Sequence, residues 1–543
     1  MSASSTAKSF LFRFRFLLAT ILGSVLLWAA WPTSSFTVLI FLAWLPLLWA
    51  EDNMKNTKAF AALTYLHMLL WNVLVTWWVA NSTIIGGLSA FLVNSLLMCI
   101  PILLFRLTKK QWGRWIGYGS FIIYWLAFEY IHLNWDLSWP WLTLGNAFAM
   151  QPGWIQWYEY TGSSGGSLWI LLSNVIAYFA FTVFTTEGRT GKYFKSLAVW
   201  IACVVFPIII SRLVTPNSLN YTQEHNVVVI QPNIDPWDEK FELGKEEAQL
   251  QKLIALSESA IDANTSLVIW PETAIPFQAD EDQLWHNRNM SLVWGFLRNN
   301  PQINLLTGLE GTKVFASKNG PYSKAFRGGY SGYYESYNSA VIMDTASASI
   351  YHKSKLVPGV EVLPRFLGFM SEAFEKFGGT GGGYARDTAA KVLALPNQSY
   401  KIAPAICYES IYGDYLTSFI RKGADIICII TNDGWWGNTQ GHKQHMNYAR
   451  LRAIETRKWI ARSANTGISC FIDPLGNVLQ PQPWDMAATI KMNIPATEGQ
   501  TYFVKHGDYI SCSMLWIGAL LLLLSVATAV KRLIERRKKK EKV

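Results

Sequence analysis

The stretch "YKIAPAICYES", residues 400–410, decides how the polar part of this chain folds. A run of β-type composition ends at Cys407 and is followed at once by Tyr408 and Glu409. A short apolar run with polar residues at its end is typical of a buried strand, here one that passes into a helix. Ligands of open α/β sheets bind at the carboxyl ends of strands, so Cys407 lies where a site would form. A buried cysteine alone is more often a small core residue.

Similar apolar segments recur through residues 215–507 and alternate with helical periodicity. The predicted strands are 226–233, 266–273, 303–311, 338–344, 400–409, 425–433 and 468–476, and the predicted helices include 239–262 and 446–459. Buried strands with helices between them predict an α/β sheet domain layered by helices. The domain contains no GxxxxGK[ST], GxSxG or HExxH pattern, which gives no support to nucleotide, serine-hydrolase or zinc-protease chemistry.

The rest of the chain is apolar enough to predict a membrane protein. Of its 543 residues, 51% are hydrophobic and 15% are charged, whereas soluble domains have roughly 25% charged residues. A bilayer span takes about 17–25 apolar residues. The predicted spans are 10–29, 35–50, 59–79, 84–105, 116–132, 167–185, 196–214 and 509–530, with an interfacial Trp-rich stretch at 139–158. The first could also be a cleaved signal peptide, but the spans that follow favour an anchor.

This pattern predicts four parts of the chain and their orientation. They are a transmembrane domain at 1–214, an outer domain at 215–507, a last helix at 508–530 and a basic tail at 531–543. Lys and Arg residues collect in alternate loops and in the tail, while the loops 30–34, 80–83 and 133–166 contain none. Basic loops face the cytoplasm, so both termini are predicted inside and 215–507 outside. The same rule explains the net charge of +10 without a nucleic-acid partner.

The six cysteines follow no disulfide or metal-site spacing. Three lie in or beside predicted spans and three in separate apolar segments of the outer domain: Cys99, Cys203 and Cys512, then Cys407, Cys428 and Cys470. An extracytoplasmic domain with three dispersed cysteines is not a disulfide framework. This favours one retained reactive thiol and no metal or cofactor.

Residues able to perform acyl transfer stand at the ends of apolar segments. Glu272 follows "LVIW", and Lys353 and Glu361 lie in "YHKSKLVPGVEVLP". With Cys407 they would supply a base, a cation for an oxyanion and a nucleophile. A helix N-terminus and a nearby cation would give Cys407 thiolate character, and we expect its sulfur to be exposed. Each residue also has a plainer interpretation, as a capping carboxylate, a surface charge or a core cysteine, and spacing alone does not bring them together.

Glu272, Lys353 and Cys407, in this order, resemble the Glu-Lys-Cys triad of the nitrilase superfamily. The blocks "WPETAIP", "YHKSKLVP", "ICYES", "TNDGWWG", "QHMNYARLRAIETR" and "RSANTGIS", with spans on both sides of the domain, are similar to the apolipoprotein N-acyltransferase family. The resemblance implies an αββα sandwich with the triad at strand ends. It also implies a multi-pass protein of the bacterial inner membrane, with this domain on the periplasmic side.

The resemblance implies a role for each of these residues. Glu272 would be the general base, Lys353 the oxyanion stabiliser and Cys407 the nucleophile. Glu361 would position Lys353, but "PGVE" stands where many members have Phe-Gly-Glu, so Gly359 and Val360 alter the backbone beside it.

Flanking residues are implied to support the site. Tyr408 and Glu409 follow the nucleophile as in the family, and Glu409 could also be a carboxylate of the first helical turn. Trp237, in "NIDPWDEKF", resembles an aromatic residue on the substrate path. Trp435 and Trp436 would suit an interfacial lipid entrance.

The reaction implied is a two-step acyl transfer that needs no cofactor. Cys407 would take an acyl chain from a phospholipid donor, and the thioester would pass it to the α-amino group of a diacylglyceryl apolipoprotein. Two alternatives remain at this stage: a membrane-tethered nitrilase-type hydrolase of a small substrate, and a transporter or receptor whose outer domain only binds ligand. We also expect the Gly-rich segments 327–332 and 378–384 to be mobile, the second as a lid.

Overall fold

The computed structural model describes residues 3–540 apart from 241, 243, 327–330, 364–367, 369–382 and 397. Side chains of residues 3–13, 533 and 536–540 are likewise outside the description. Both Gly-rich segments fall largely on these gaps, so the predicted lid lies outside the described residues.

The N-terminal part is a bundle of helices. Its elements are α1 (Ala3–Ala30), α2 (Leu45–Asn53), α3 (Thr57–Thr76), α4 (Ile84–Trp112), α5 (Arg114–Leu133), α6 (Tyr158–Glu187) and α7 (Gly191–Val214). Among the described residues, five helices are long and apolar enough to cross a membrane: Thr57–Asn81, Ile84–Trp112, Tyr158–Glu187, Gly191–Val214 and Tyr509–Arg532. These five helices coincide with five of the predicted spans. A shorter apolar helix, Phe14–Ala30, matches the first, and α5 matches 116–132.

The prediction of one continuous span over 35–50 is wrong. The segment forms a 3-10 turn, Thr37–Phe41, and then the nine-residue α2. Pro46 lies in the first turn of α2, where its missing N–H costs nothing. Asn174 of α6 satisfies backbone groups on both sides of the break. Its Nδ2 donates to the Ile40 carbonyl at 2.8 Å, and its Oδ1 accepts from Trp44 N at 2.9 Å. A break among membrane helices is tolerated when neighbouring side chains satisfy the backbone in this way.

The Trp-rich stretch 139–158 forms no spanning helix, as predicted. It contains three 3-10 turns, Pro140–Leu142, Leu144–Phe148 and Pro152–Trp154. Glu129 of α5 helps to hold this loop, because its Oε1 accepts a hydrogen bond from Leu144 N at 2.8 Å.

Two β-sheets form the centre of the second domain. The strands are β1 (Tyr221–Gln231), β2 (Thr265–Ile269), β3 (Gln278–Asp280), β4 (Asn304–Phe315), β5 (Lys324–Ala325), β6 (Tyr333–Met343), β7 (Ala348–His352), β8 (Leu393–Ala394), β9 (Lys401–Ile406), β10 (Ile426–Thr431), β11 (Ile460–Ala464), β12 (Cys470–Ile472), β13 (Val478–Leu479) and β14 (Ala488–Thr497). The first sheet has the order β14-β1-β2-β4-β6-β5, with β3 on β4 and β7 on β6, and the second has the order β13-β12-β11-β10-β9-β8. β1, β2 and β4 are parallel neighbours, as are β9, β10 and β11. All seven predicted strands are present.

The sheets pack face to face and are covered by helices, which confirms the predicted αββα sandwich. Val229 and Ile269 of the first sheet share one apolar core with Ala405 and Ile429 of the second. The remaining helices are α8 (Glu246–Glu258), α9 (Ser291–Asn299), α10 (Gly413–Arg421), α11 (Gln440–Thr456), α12 (Tyr502–His506) and α13 (Tyr509–Lys540). Helices α8 and α9 cover the first sheet, and α10 and α11 cover the second.

Helix α11 also packs on the membrane domain, and four rings run through this contact. Trp78 lies in the 3-10 turn Trp77–Asn81 that follows α3, with its ring centroid 4.6 Å from that of Trp436 and 4.7 Å from that of Trp141. Both of these tryptophans contact His445 of α11, at 5.8 and 5.9 Å. We call Trp78, Trp141, Trp436 and His445 the aromatic column. It joins the bundle to the sheet domain through buried ring contacts.

Candidate active site

Glu272 lies just beyond β2, against β4. Gly308 of β4 makes this possible: a Cβ there would meet Thr273 N at 2.1 Å and Glu272 Cα at 2.6 Å. Gly308 N also donates to the Pro271 carbonyl at 3.1 Å. The segment is therefore fixed by a close backbone approach that only glycine allows. It directs the Glu272 carboxylate into the interior, where Oε2 accepts from Asn432 N at 3.0 Å.

Lys353 follows β7 and is only 1% exposed. Its Nζ donates to Glu272 Oε1 at 3.1 Å and to Glu361 Oε1 at 2.8 Å. Asn338 Nδ2 bridges the same two carboxylate oxygens, at 2.8 and 2.9 Å. The structure thus brings Glu272 together with Lys353 and Glu361, which lie more than 80 residues further along the chain. A buried charge paired with two carboxylates stays ionised.

The departure at Gly359 and Val360 does not displace Glu361. Gly359 takes a positive φ of 78°, and Gly359 N donates to the Val362 carbonyl at 3.0 Å, which forms a tight turn. Glu361 Oε2 accepts from Val357 N at 2.8 Å, so the carboxylate is held from both sides. The turn therefore presents Glu361 to Lys353 as the resemblance implies.

Cys407 is the first residue after β9, as the sequence predicts. Its φ is +49°, a left-handed conformation that is costly for a residue with a side chain and that clusters at functional sites. A 3-10 turn, Cys407–Ile411, follows, and its first N–H groups have no partner within the turn. The expectation of an exposed sulfur is wrong, because Cys407 is only 8% exposed.

The electrostatics of the site also correct the expectation of a resting thiolate. Burial, with a further contribution from the Glu272 charge, holds the pKa of the Cys407 thiol well above its usual value, although Lys353 opposes this. Burial works against ionisation of Glu272, but Lys353 and the Asn338 hydrogen bond outweigh it and lower the pKa of Glu272. The pKa of Lys353 is raised because its two carboxylates outweigh burial. The resting site is a neutral thiol beside an ionised base and a cation.

Glu409 links the nucleophile turn to the end of β7. Its Oε1 accepts from Ser354 N at 2.7 Å and from Tyr351 Oη at 2.6 Å, and its Oε2 accepts from Ile406 N at 2.9 Å. Glu409 therefore lies in the first turn after the strand, as the second interpretation of this residue in the sequence predicts. Burial raises its pKa to about 7. Glu409 therefore fixes the strands that carry Lys353 and Cys407 relative to each other.

Tyr408 and the tryptophans connect the site to its surroundings. Tyr408 Oη donates to the Ser138 carbonyl of the membrane domain at 2.9 Å. Trp237 is 57% exposed and packs edge-on against Trp435, with the centroids 5.0 Å apart. Trp436 instead packs against Trp78 and His445 in the aromatic column. The roles of the three tryptophans in substrate binding remain predictions.

Two residues beside Glu272 have no role in the sequence prediction. Asn338 lies in a predicted strand, and nothing in the sequence distinguishes it from other strand residues. Only the folded structure shows that it contacts Glu272 and Glu361. Lys240 is buried in "NIDPWDEKF"; its Nζ donates to the Glu272 carbonyl at 3.2 Å and to Thr273 Oγ1, and burial lowers its pKa to about 8. The only signal for Lys240 was its place three residues after Trp237.

Cys407, Asp433 and His445 offer metal-type donor atoms within 4.8 Å of one another, but their surroundings do not fit a metal ion. The Arg462 guanidinium lies against Asp433 Oδ2 at 2.5 Å and against His445 Nδ1 at 3.2 Å. A fixed cation already neutralises the carboxylate, so a second cation beside it would be repelled.

Comparisons with known proteins match both domains. The family model "Apolipoprotein N-acyltransferase N-terminal domain" matches residues 23–176, and the model "Carbon-nitrogen hydrolase" matches residues 227–502. A curated apolipoprotein N-acyltransferase of Chlorobaculum tepidum is 30% identical over 92% of this chain and 94% of its own length. That of Geobacter metallireducens is 26% identical over 90% of this chain and 91% of its own.

Among solved structures, an amidase of the nitrilase superfamily from Nesterenkonia AN1 is similar to part of the chain. It aligns at 14% identity with a TM-score of 0.36, covering 53% of this chain and 95% of the amidase.

Proposed function

Because the chain belongs to the apolipoprotein N-acyltransferase family, we propose that Glu272, Lys353 and Cys407 perform its acyl transfer through a thioester on Cys407. The protein is a membrane-bound N-acyltransferase of lipoproteins in the nitrilase superfamily. The observation that carries the proposal is the Glu272–Lys353–Glu361 network beside a neutral thiol at a strand end. A neutral thiol needs a base, and the ionised Glu272 carboxylate is near enough for its charge to raise the pKa of that thiol.

In the first half-reaction, Glu272 removes the proton of the Cys407 thiol as the sulfur attacks the ester carbonyl of a phospholipid. Lys353 and the N–H groups that follow Cys407 stabilise the oxyanion of the tetrahedral intermediate. Collapse breaks the carbon–oxygen bond, and the lysophospholipid alkoxide takes the proton back from Glu272. The acyl chain remains on sulfur.

In the second half-reaction, the α-amino group of a diacylglyceryl-cysteine attacks the thioester. Glu272 accepts the amine proton, and the same cation and N–H groups stabilise the second oxyanion. The carbon–sulfur bond breaks, the sulfur takes the proton from Glu272, and an amide is released. Both halves use one set of residues, and the cycle returns the enzyme to its neutral thiol.

The contact between the nucleophile turn and the membrane domain supports a lipid as acyl donor and a lipid-anchored acyl acceptor. Tyr408 Oη reaches the Ser138 carbonyl, Ser138 Oγ lies 2.7 Å from Tyr412 Oη, and the Trp141 ring lies 6.2 Å from that of Tyr408. Trp237 and Trp435 form an aromatic pair with one exposed face. Tryptophan favours the membrane–water interface, so this pair suits a path for acyl chains.

Intact-protein mass spectrometry tests the thioester directly. The wild-type protein in detergent with phospholipid, and without acceptor, is expected to gain the mass of one fatty acyl chain. A diacylglyceryl peptide with a free amino terminus should remove this mass, and the same peptide acetylated at its terminus should not.

Two outcomes would overturn the proposal. If no adduct forms with phospholipid, the two-step scheme is wrong. If the adduct disappears equally fast with the free and the acetylated peptide, water is the acceptor and the protein is a hydrolase.

The distribution of Lys and Arg further supports an orientation with both termini in the cytoplasm and the sheet domain in the periplasm. A reporter enzyme that is active only outside the cytoplasm should work when fused after Pro216 and be silent when fused after Lys110 or Lys540. The opposite pattern of activity would reverse the orientation.

A further inference from the structure

A second set of polar side chains lies beneath the nucleophile, apart from Glu272 and Lys353. Asp433 follows β10, His445 lies on α11 and Arg462 lies on β11, and all three are fully buried. Asp433 Oδ2 accepts from Arg462 Nη2 at 2.5 Å, and Asp433 Oδ1 lies 2.9 Å from His445 Nδ1. Thr431 Oγ1 donates to Asp433 Oδ1 at 2.7 Å. The His445 ring is thus fixed from one edge.

The other edge of the same ring reaches the backbone of the nucleophile. His445 Nε2 lies 3.1 Å from the Cys407 carbonyl oxygen and 2.8 Å from Ser410 Oγ. Ser410 Oγ also donates to the Cys407 carbonyl, at 2.7 Å. The Cys407 carbonyl can only accept, so His445 donates to it when Nε2 carries a proton. Ser410 and His445 then hold this carbonyl together, one from its own turn and one from α11.

These contacts bear on the unusual backbone conformation of the nucleophile. Cys407 has a φ of +49°, and a residue with a side chain keeps this conformation only when its surroundings impose it. A carbonyl fixed at one end of the residue restricts how the peptide planes can turn. The direction of the Cα–Cβ bond, and with it the position of Sγ, follows from that restriction.

Packing on the faces of the ring removes its remaining freedom. Trp141 and Trp436 approach it edge-on, with interplanar angles of 67° and 73°. A buried ionic cluster contributes little stability compared with an apolar core of the same volume. What this cluster supplies instead is a defined orientation for the group it touches, the Cys407 carbonyl.

We propose that His445 is a positioning residue for acyl transfer: it holds the Cys407 carbonyl, and thereby the left-handed backbone that aims Sγ at Glu272 and Lys353. Asp433 and Arg462 orient the ring, and Ser410 shares the carbonyl. The inference rests on the proposed function, because it assumes that Cys407 Sγ is the nucleophile. It adds a group that acts through the backbone of the nucleophile, although a ring nitrogen of His445 also lies within 4.8 Å of Cys407 Sγ.

The chain offers a matched control on the same helix. His442 lies three residues before His445, is also fully buried and stacks on Trp484 with the centroids 4.1 Å apart, away from Cys407. His445→Phe and His442→Phe make the same change at equal burial. Single-turnover thioester formation from phospholipid, followed by mass spectrometry over a range of lipid concentrations, compares the two variants.

His445→Phe is expected to slow the maximal rate of thioester formation about 10²-fold, the size of effect that misplacement of a reacting group by 1 Å produces. The lipid concentration for half-maximal rate should not change, because the His445 ring is fully buried and offers the donor no surface. His445→Gln keeps an N–H donor for the Cys407 carbonyl and should recover part of the rate. His442→Phe should stay close to wild type.

Thermal unfolding of each variant separates positioning from folding. If His445→Phe does not fold, the variants Ser410→Ala and His445→Gln replace it. The double variant Ser410→Ala/His445→Gln should then lose more of the rate of thioester formation than the two single losses multiplied together. The reason is that each donor to the Cys407 carbonyl partly compensates for the loss of the other. Equal slowing by His445→Phe and His442→Phe, or wild-type kinetics in His445→Phe, would overturn the inference alone. Failure of the wild type to form a thioester would overturn the proposed function with it.

Discussion

Cys407→Ala is expected to abolish both the acyl adduct and transfer to the lipoprotein, whereas Cys428→Ala and Cys470→Ala should keep most of the activity. Of these three cysteines, only Cys407 lies just beyond the carboxyl end of its strand, where the charges of Glu272 and Lys353 act on it. Cys428 lies within β10 and Cys470 begins β12, and both are fully buried. Removing either should cost about 1 kcal/mol of stability, which is typical of a single core substitution.

Mass spectrometry of the three variants after incubation with phospholipid gives the result. The Cys428 and Cys470 variants control for the loss of a buried sulfur atom. An acyl adduct on the Cys407→Ala protein would remove Cys407 from the mechanism.

Glu272→Gln and Lys353→Met should each block thioester formation, for different reasons. Glu272→Gln keeps the shape but loses the base, and positioned proton transfer is worth about 10² to 10⁴ in rate. Lys353→Met keeps the stem but loses the charge that faces the oxyanion, a loss of about 10² to 10³. Lys355→Met is the matched control, because Lys355 Nζ lies over the Tyr412 ring at 5.1 Å and makes no contact with Glu272 or Glu361.

The two variants should shift the thiol pKa in opposite directions. The Glu272 charge raises the pKa of Cys407 and Lys353 lowers it, so Glu272→Gln should lower this pKa and Lys353→Met should raise it further. Iodoacetamide reacts with the thiolate, and its rate of alkylation rises with pH until the thiol is ionised. The midpoint of that rise should therefore move to lower pH in Glu272→Gln and to higher pH in Lys353→Met. Shifts of the same sign in both variants would show that the charges do not act on Cys407 as described.

Strands with strong apolar runs were predictable from the sequence, and strands shaped by their neighbours were not. β14 alternates polar and apolar residues and contains Pro495, yet it pairs antiparallel with β1, with Val229 opposite Ile490. β11 carries Arg462 and Ser463 in its centre, which argues against a buried strand. The strand can be buried because Arg462 forms an ion pair with Asp433, which lies 29 residues earlier in the sequence.

The site shows the same division. The residue types of the triad and the place of Cys407 follow from the strand ends and the resemblance. The burial of the sulfur and its raised pKa do not, because they depend on how closely the two sheets pack. Asn338 and His445 carry no local signature, since their partners come from other strands and helices. The broken span at 35–50 depends likewise on Asn174, a single side chain of a distant helix.

The aromatic column limits how freely the halves of this protein can be exchanged. Ring contacts from Trp78 of the bundle reach His445, which holds the nucleophile's carbonyl. The sheet domain is therefore not a portable module: cut from its bundle, it would keep Glu272, Lys353 and Cys407 but lose one wall of the pocket around His445. A change at the bundle end of the column must be matched by a compensating change in α11. Over evolution, the anchor and the enzyme are expected to have been inherited and altered as one unit.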